Sequence, residues 1–186
     1  AALGIEDSAE SGFRYLQRLS MGYGSDAAIL NVAVHARAAL KWYEDAIGLR
    51  MEVIRDCPDY YYGHTNDGIA EGRMLEAAPF PAATLGDWQT RTRLSPSMPY
   101  GFTHHDMFAG GGVANIMNWD YALMAERLTG DVRCLGCGLA AYFVKGVIDR
   151  RVPMLTGTSG EELICDGDRV VGVRAVRDGR DMYIRA

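Results

Sequence analysis

This 186-residue chain lacks any apolar run long enough to cross a bilayer. Runs such as Ala27 to Leu30 are a fraction of the ~20 residues a spanning helix needs. No excess of positive charge is present either. A formal charge of -5 and a pI near 5.3 give no electrostatic reason to expect nucleic acid as a partner. A signal peptide is not expected, because Ala1 to Glu10 is polar and helix-like. Repeats and low-complexity segments are missing. The four cysteines, at 57, 134, 137 and 165, are too few to be the framework of a chain so rich in apolar residues. They read as reduced thiols in a cytoplasmic protein. Metal ligation is not expected. Cys134-Leu-Gly-Cys137 has no second Cys-x-x-Cys and no spaced histidine pair to complete a tetrahedral zinc site. His104 and His105 would point about 100° apart on a helix and cannot easily share an ion.

What remains is the composition of a globular protein, 48% hydrophobic and 23% charged, with enough chain to bury a sizeable core. The first part reads as helix and loop. Asp7 and Glu10 resemble a capping pair before a short helix reaching Ser20. Ser25 caps a longer helix from Asp26 to Ile47, whose apolar residues recur at three- and four-residue steps until Gly48. Residues 50–54 alternate like a strand. From Arg55 to about Pro99 the chain is irregular, with prolines at 58, 79, 81, 96 and 99. A loop that long is uncommon without a task or an interface, though LGDWQTR suits a helical turn. Thr103 and Asp106 suggest a cap, 113–128 a helix, and Leu139 to Arg150 another. Thereafter VPMLTG reads as a strand. Three alternating runs follow, punctuated by Asp166-Gly167 and Asp178-Gly179, which predicts an antiparallel meander. The expectation is an α+β chain: a helical, loop-rich part over 1–130, then a helix and small sheet over 131–186. One compact unit is the alternative.

Several segments, in order, carry a family resemblance: GIEDSAESGFRYL, ALKWYEDAIGLRMEV, CPDYYYGHTNDGIAEGRMLEAAPF, LGDW and CGLAAYFVKGVIDRRVPMLTGT. Together they resemble the FAD domain of flavoproteins of the fumarate reductase and succinate dehydrogenase superfamily, and within it the 3-ketosteroid Δ1-dehydrogenase-like branch. The resemblance implies a parent FAD-dependent oxidoreductase acting on a carbon–carbon bond beside a carbonyl or carboxylate of a small molecule. It also implies that a strand–Gly-x-Gly-x-x-Gly–helix unit precedes this region, since pyrophosphate needs those glycines and a helix N-terminus. Gly22–Gly24 and Gly110–Gly112 do not follow a strand and do not replace it. With no opening methionine and a close on MYIRA, the chain reads as an internal piece, inactive alone.

Tyr60, Tyr61 and Tyr62 stand in one loop. Either the three rings pack that loop onto the body, or one hydroxyl faces a site. The resemblance places Tyr60, the first tyrosine of PDYY, at the substrate cleft. There a phenol with pKa about 10 can donate to a developing enolate or relay a proton. The same resemblance sets Thr158, Ser159 and Gly160 beside the adenine of FAD; an ordinary strand-to-meander connection is the other reading. Arg73 would meet a carboxylate or phosphate, or else stand solvated on the surface. His64 would reach a cleft or lie in water. A thiol at a helix N-terminus is acidified, which lends Cys134 and Cys137 a redox reading against coincidental spacing. A non-catalytic assembly module is the rival to an enzyme part. It would self-associate through apolar surface that a longer polypeptide covers.

Overall fold

The computed structural model describes residues 4–96 and 101–186, which fall into two compact units, 1–150 and 151–186. The expected α+β class holds: helices in the first unit accompany short antiparallel pairs, and the second is a strand meander. Pro99, the far end of the irregular segment, lies outside the described residues.

The first unit begins with α1 (Ala9–Ser20) and α2 (Asp26–Ile47). Ser25 caps α2 and Gly48 closes it in the left-handed region, as its sequence predicts. The cap of α1 is Ser8, whose hydroxyl accepts from the Ser11 amide at 3.0 Å. Asp7, the expected cap, is occupied elsewhere. β1 (Met51–Val53) pairs antiparallel with β2 (Leu75–Ala77), Met51 opposite Ala77. β3 (Phe80–Pro81) runs into a 3-10 turn, Ala82–Trp88, that breaks at Gly86. α3 (His104–Ala109) carries the reciprocal Thr103–Asp106 capping box that its sequence announces.

The helix expected over 113–128 is two elements, a 3-10 turn Val113–Asn118 and α4 (Tyr121–Thr129). Asp120 competes for the backbone by accepting from the Leu123 amide, as a short polar side chain does. The Trp119 indole donates to the Gly112 carbonyl at 3.1 Å, which fixes the break. β4 (Val132–Arg133) pairs with β3. α5 (Leu135–Asp149) starts four residues before its expected Leu139. Gly136 and Gly138 hid that start, because glycine is a poor helix former. Here Gly138 is required. A Cβ on it would stand 2.6 Å from the Arg133 carbonyl oxygen. The core forms where α5 meets β2, β3 and the Ala82–Trp88 turn. Leu49, Ala77, Phe80, Ala82, Leu85, Ala141 and Tyr142 fill it, with the Phe80 and Tyr142 rings edge to face at 4.8 Å.

The second unit is β5 (Thr158–Asp166), β6 (Arg169–Arg177) and β7 (Arg180–Arg185), antiparallel in the order β5-β6-β7. Asp178 and Gly179 form the second turn with φ of 50° and 72°, the double left-handed geometry of a type I′ hairpin. In the first turn the loop residues are Gly167 and Asp168, one position beyond the expected Asp-Gly. The strand expected from VPMLTG does not form: residues 152–157 carry no ladder. A strand exists only through a paired neighbour, and no described segment pairs with this one. Leu163, Val173 and Ile184 share one row across the sheet; Glu162, Arg174 and Tyr183 share another. Arg174 donates to Glu162 in its row at 3.2 Å and to Asp181, two positions along β7, at 2.9 Å.

Candidate functional site

The tyrosine loop leaves β1 at Ile54 and returns to β2 through Arg73. At its base Asp59 closes the loop on itself. Its amide donates to the Ile69 carbonyl at 2.9 Å, and its carboxylate accepts from the Ile69 amide at 3.0 Å. Between these points the chain turns through a 3-10 turn, Tyr62–His64. The Tyr62 amide bonds back to the Asp59 carbonyl at 2.8 Å.

Arg73 ties this loop to α1. Its guanidinium forks onto both oxygens of Asp7, at 2.8 and 2.6 Å. It also donates to the Asp59 carboxylate at 2.8 Å, the Asp67 carbonyl at 2.9 Å and the Ser11 hydroxyl at 2.9 Å. The cation lies 5.3 Å from the centre of the Tyr15 ring, a cation–π distance. The buried Tyr15 hydroxyl in turn accepts from the Tyr61 amide at 3.1 Å. Arg14 adds a bond to Asp67 at 2.7 Å. The side chains of Arg73 and Asp59 are only 16% and 3% exposed. At such a site a planar, always-charged fork suits two carboxylates better than an ammonium would. The Arg73 hydrogen bonds hold the Asp7 carboxyl below its usual range, against a smaller opposing effect of burial.

Two sequence readings change here. Arg73 is not solvated on the surface; the carboxylates it meets are those of Asp7 and Asp59, and its donors are spent on this cluster, leaving none for a ligand anion. The tyrosine rings are not the anchor either. Tyr60 is 81% exposed, Tyr61 46% and Tyr62 48%. The rings of Tyr60 and Tyr61 touch edge to face at 5.2 Å, and Tyr61 meets His64 at 6.2 Å. Asp59, Arg73, Asp7 and Tyr15 hold the loop, and the rings project from it. Only Asp59, next to the tyrosines, carried any local signal. Asp7 and Tyr15 lie more than forty positions away, beyond any periodicity.

A second cluster gathers around β2 and the start of α3, where Glu76 and Thr103 are buried. Glu76 on β2 accepts the His104 and His105 amides at 2.8 Å each, and His104 Nδ1 lies 3.3 Å from it. The histidines therefore serve through their backbone, at the start of α3. Asp106 accepts from Arg127 and from the Thr103 amide. Burial opposes the Asp106 charge, and the Arg127 and Thr103 hydrogen bonds outweigh it, so its pKa falls. Cys134 heads α5, yet burial pushes its thiol up to about 11, the reverse of the acidification a helix terminus gives when exposed. Burial likewise raises Cys57. No group of three or more metal-ligating side chains occurs among the described residues.

Thr158, Ser159 and Gly160 belong to the second unit, as the first residues of β5. They stand opposite Arg177, Val176 and Ala175. β5 is an edge strand of its sheet, so backbone groups on its outer side are outside the ladder.

No family model and no curated protein matches the chain. A solved structure does resemble it: the 3-ketosteroid Δ1-dehydrogenase of Sterolibacterium denitrificans in complex with 1,4-androstadiene-3,17-dione. The TM-score is 0.76 at 24% sequence identity, over 98% of this chain and 36% of that one. The likeness is one of fold, and the chain spans about a third of the dehydrogenase's length.

Proposed function

We propose that this chain is part of an FAD-dependent oxidoreductase that forms or reduces a carbon–carbon double bond beside a carbonyl or carboxylate. A ketosteroid-like ring is the first substrate class. The observation that carries this reading is the fold likeness over nearly the whole chain, joined to Tyr60, an exposed phenol on a loop whose backbone is fixed on both sides. Dehydrogenation removes a proton from the carbon next to the carbonyl and a hydride from its neighbour. When bound, FAD supplies the hydride acceptor. Tyr60 would donate a hydrogen bond to the enolate oxygen or pass on the proton. The outer edge of β5 at Thr158, Ser159 and Gly160 offers backbone groups suited to an adenine base. Gly22 and Gly24 follow a helix, as do Gly110, Gly111 and Gly112, whereas a pyrophosphate cradle follows a strand; on this reading the chain alone would supply only part of the cofactor site.

An FAD titration of the purified chain, followed by calorimetry and by flavin absorbance near ~450 nm, is expected to show no tight binding. Tight binding would overturn this account of the cofactor site. In the full-length polypeptide, Tyr60→Phe is expected to lower kcat by about a hundredfold, the lower end of acid–base catalysis. An unchanged kcat would remove Tyr60 from the chemistry.

A second reading, a non-catalytic assembly module, draws on α2. Leu30 and Val34, one turn apart on the same side of the helix, are exposed there, apolar side chains of the kind that mark contacts. Self-association through them predicts a mass that rises with concentration in light scattering. The acidic balance favours no nucleic acid partner, no helix of the described residues is long and apolar enough to cross a membrane, and the free thiols suit a cytoplasmic setting. A thiol-redox role is disfavoured by the raised Cys134. Thiol-exchange activity lost in Cys137→Ser would restore it.

A further inference from the structure

We propose that Arg73 is a positioning residue that sets the Tyr60 ring, acting through Asp59 and Asp7 without touching substrate; the proposal rests on the cleft reading of Tyr60. The residues on either side of Tyr60 are each fastened, and both fastenings run to the Arg73 cluster. Asp59, before it, accepts from Arg73 at 2.8 Å and from the Ile69 amide at 3.0 Å through the same oxygen. Tyr61, after it, donates its amide to the hydroxyl of Tyr15, over whose ring the guanidinium sits. Arg73 then carries the load to α1 through the two-pronged contact with Asp7 and the bond to Ser11. Gly72 permits this. Its φ of 118° is open to glycine, and a Cβ there would stand 2.8 Å from Ile5. An exposed phenol on an unfastened loop would sample many orientations. Here the backbone at Tyr60 is fixed before any ligand arrives, which is how supporting residues pre-organise a reacting group.

Amide exchange followed by NMR on this chain tests the clamp without any ligand. Arg73→Met is expected to raise exchange at Tyr61 and Ile69 by about tenfold or more, while Ala141 and Tyr142 in α5 change by less than about twofold, as for a local opening. Asp7→Asn, which leaves Arg73 and its bonds to the loop in place, is expected to give the same pattern at smaller amplitude. It serves where Arg73→Met does not fold. Wild-type exchange at Tyr61 and Ile69 in both variants overturns the proposal. So does deprotection spread equally into α5, which would make the cluster a general stability element. In the full-length polypeptide, Arg73→Met is expected to lower kcat with KM little changed, and a raised KM at unchanged kcat would also overturn it. The two readings fail separately. An inert Tyr60→Phe with a deprotected loop in Arg73→Met removes the cleft role and leaves the clamp; protected amides with a damaging Tyr60→Phe do the reverse.

Discussion

The tyrosine loop, a connection within the first unit, and the β5–β7 meander, the body of the second, are held by opposite devices. In the meander nearly every backbone group of β6 is spent on its two neighbours. The side chains add little beyond Arg174 and its two carboxylates. In the tyrosine loop the backbone has few partners of its own, and one guanidinium gathers Asp7, Ser11, Asp59 and Asp67. A ladder spreads its stabilisation over many similar bonds and tolerates the loss of one. A hub concentrates it, so one substitution releases the whole segment. A segment that presents an exposed phenol gains from the second arrangement, since its surface need not be covered by a sheet.

The substitution with the largest expected effect falls in the core both arrangements do without. Phe80→Ala should cost about 3–5 kcal/mol of the first unit's stability, the range for emptying a buried aromatic site, measured by urea denaturation. Gly138→Ala should follow at about 1–3 kcal/mol, because its Cβ would press on backbone rather than on a movable side chain. Gly179→Ala forces a side chain into the left-handed region of the type I′ turn. It should cost the meander about 1–2 kcal/mol, read from the exchange of the Arg177 and Arg180 amides. Acid separates the two regions further. Asp7, Asp106 and Asp131 have pKa values lowered in the folded chain. Their contribution is therefore complete above the ordinary carboxylate pKa near ~3.9 and disappears as pH falls through the lowered values. Urea midpoints of the first unit should be flat from about pH 8 to 5 and drop below about pH 4. The smallest effect belongs to Arg174→Ala. Its exposed pairs are screened by solvent, and the meander's exchange should be indistinguishable from wild type.

The meander was legible because its instructions are local. Alternation sets the strands, and Asp178-Gly179 meets the φ values its turn needs; only the first turn shifted by one residue. α2 was legible end to end for the same reason, from Ser25 to Gly48. The starts of α4 and α5 differ from expectation because Asp120 acts as a cap and not as an interior residue, and because Gly136 and Gly138, poor helix formers, stand inside the first turn of α5. VPMLTG has the pattern of a strand and no partner, and pattern without a partner makes no ladder. The exposed tyrosines were visible as a cluster, while their support was not. Asp7 reads as a helix cap, and Arg73 as either meeting a carboxylate or phosphate or standing solvated, with nothing local to name Asp7 as its partner.

The sequence alone therefore determined the α+β class, the long helix, the capping box and the hairpins, because each follows from residues within one or two turns of one another. Tertiary structure alone decided that Arg73 pairs with Asp7 across 66 positions, that burial raises the Cys134 thiol instead of acidifying it, and that the three tyrosine rings project while aspartate and arginine hold their loop. Burial and long-range charge pairing are properties of the packed chain, and no local pattern encodes them.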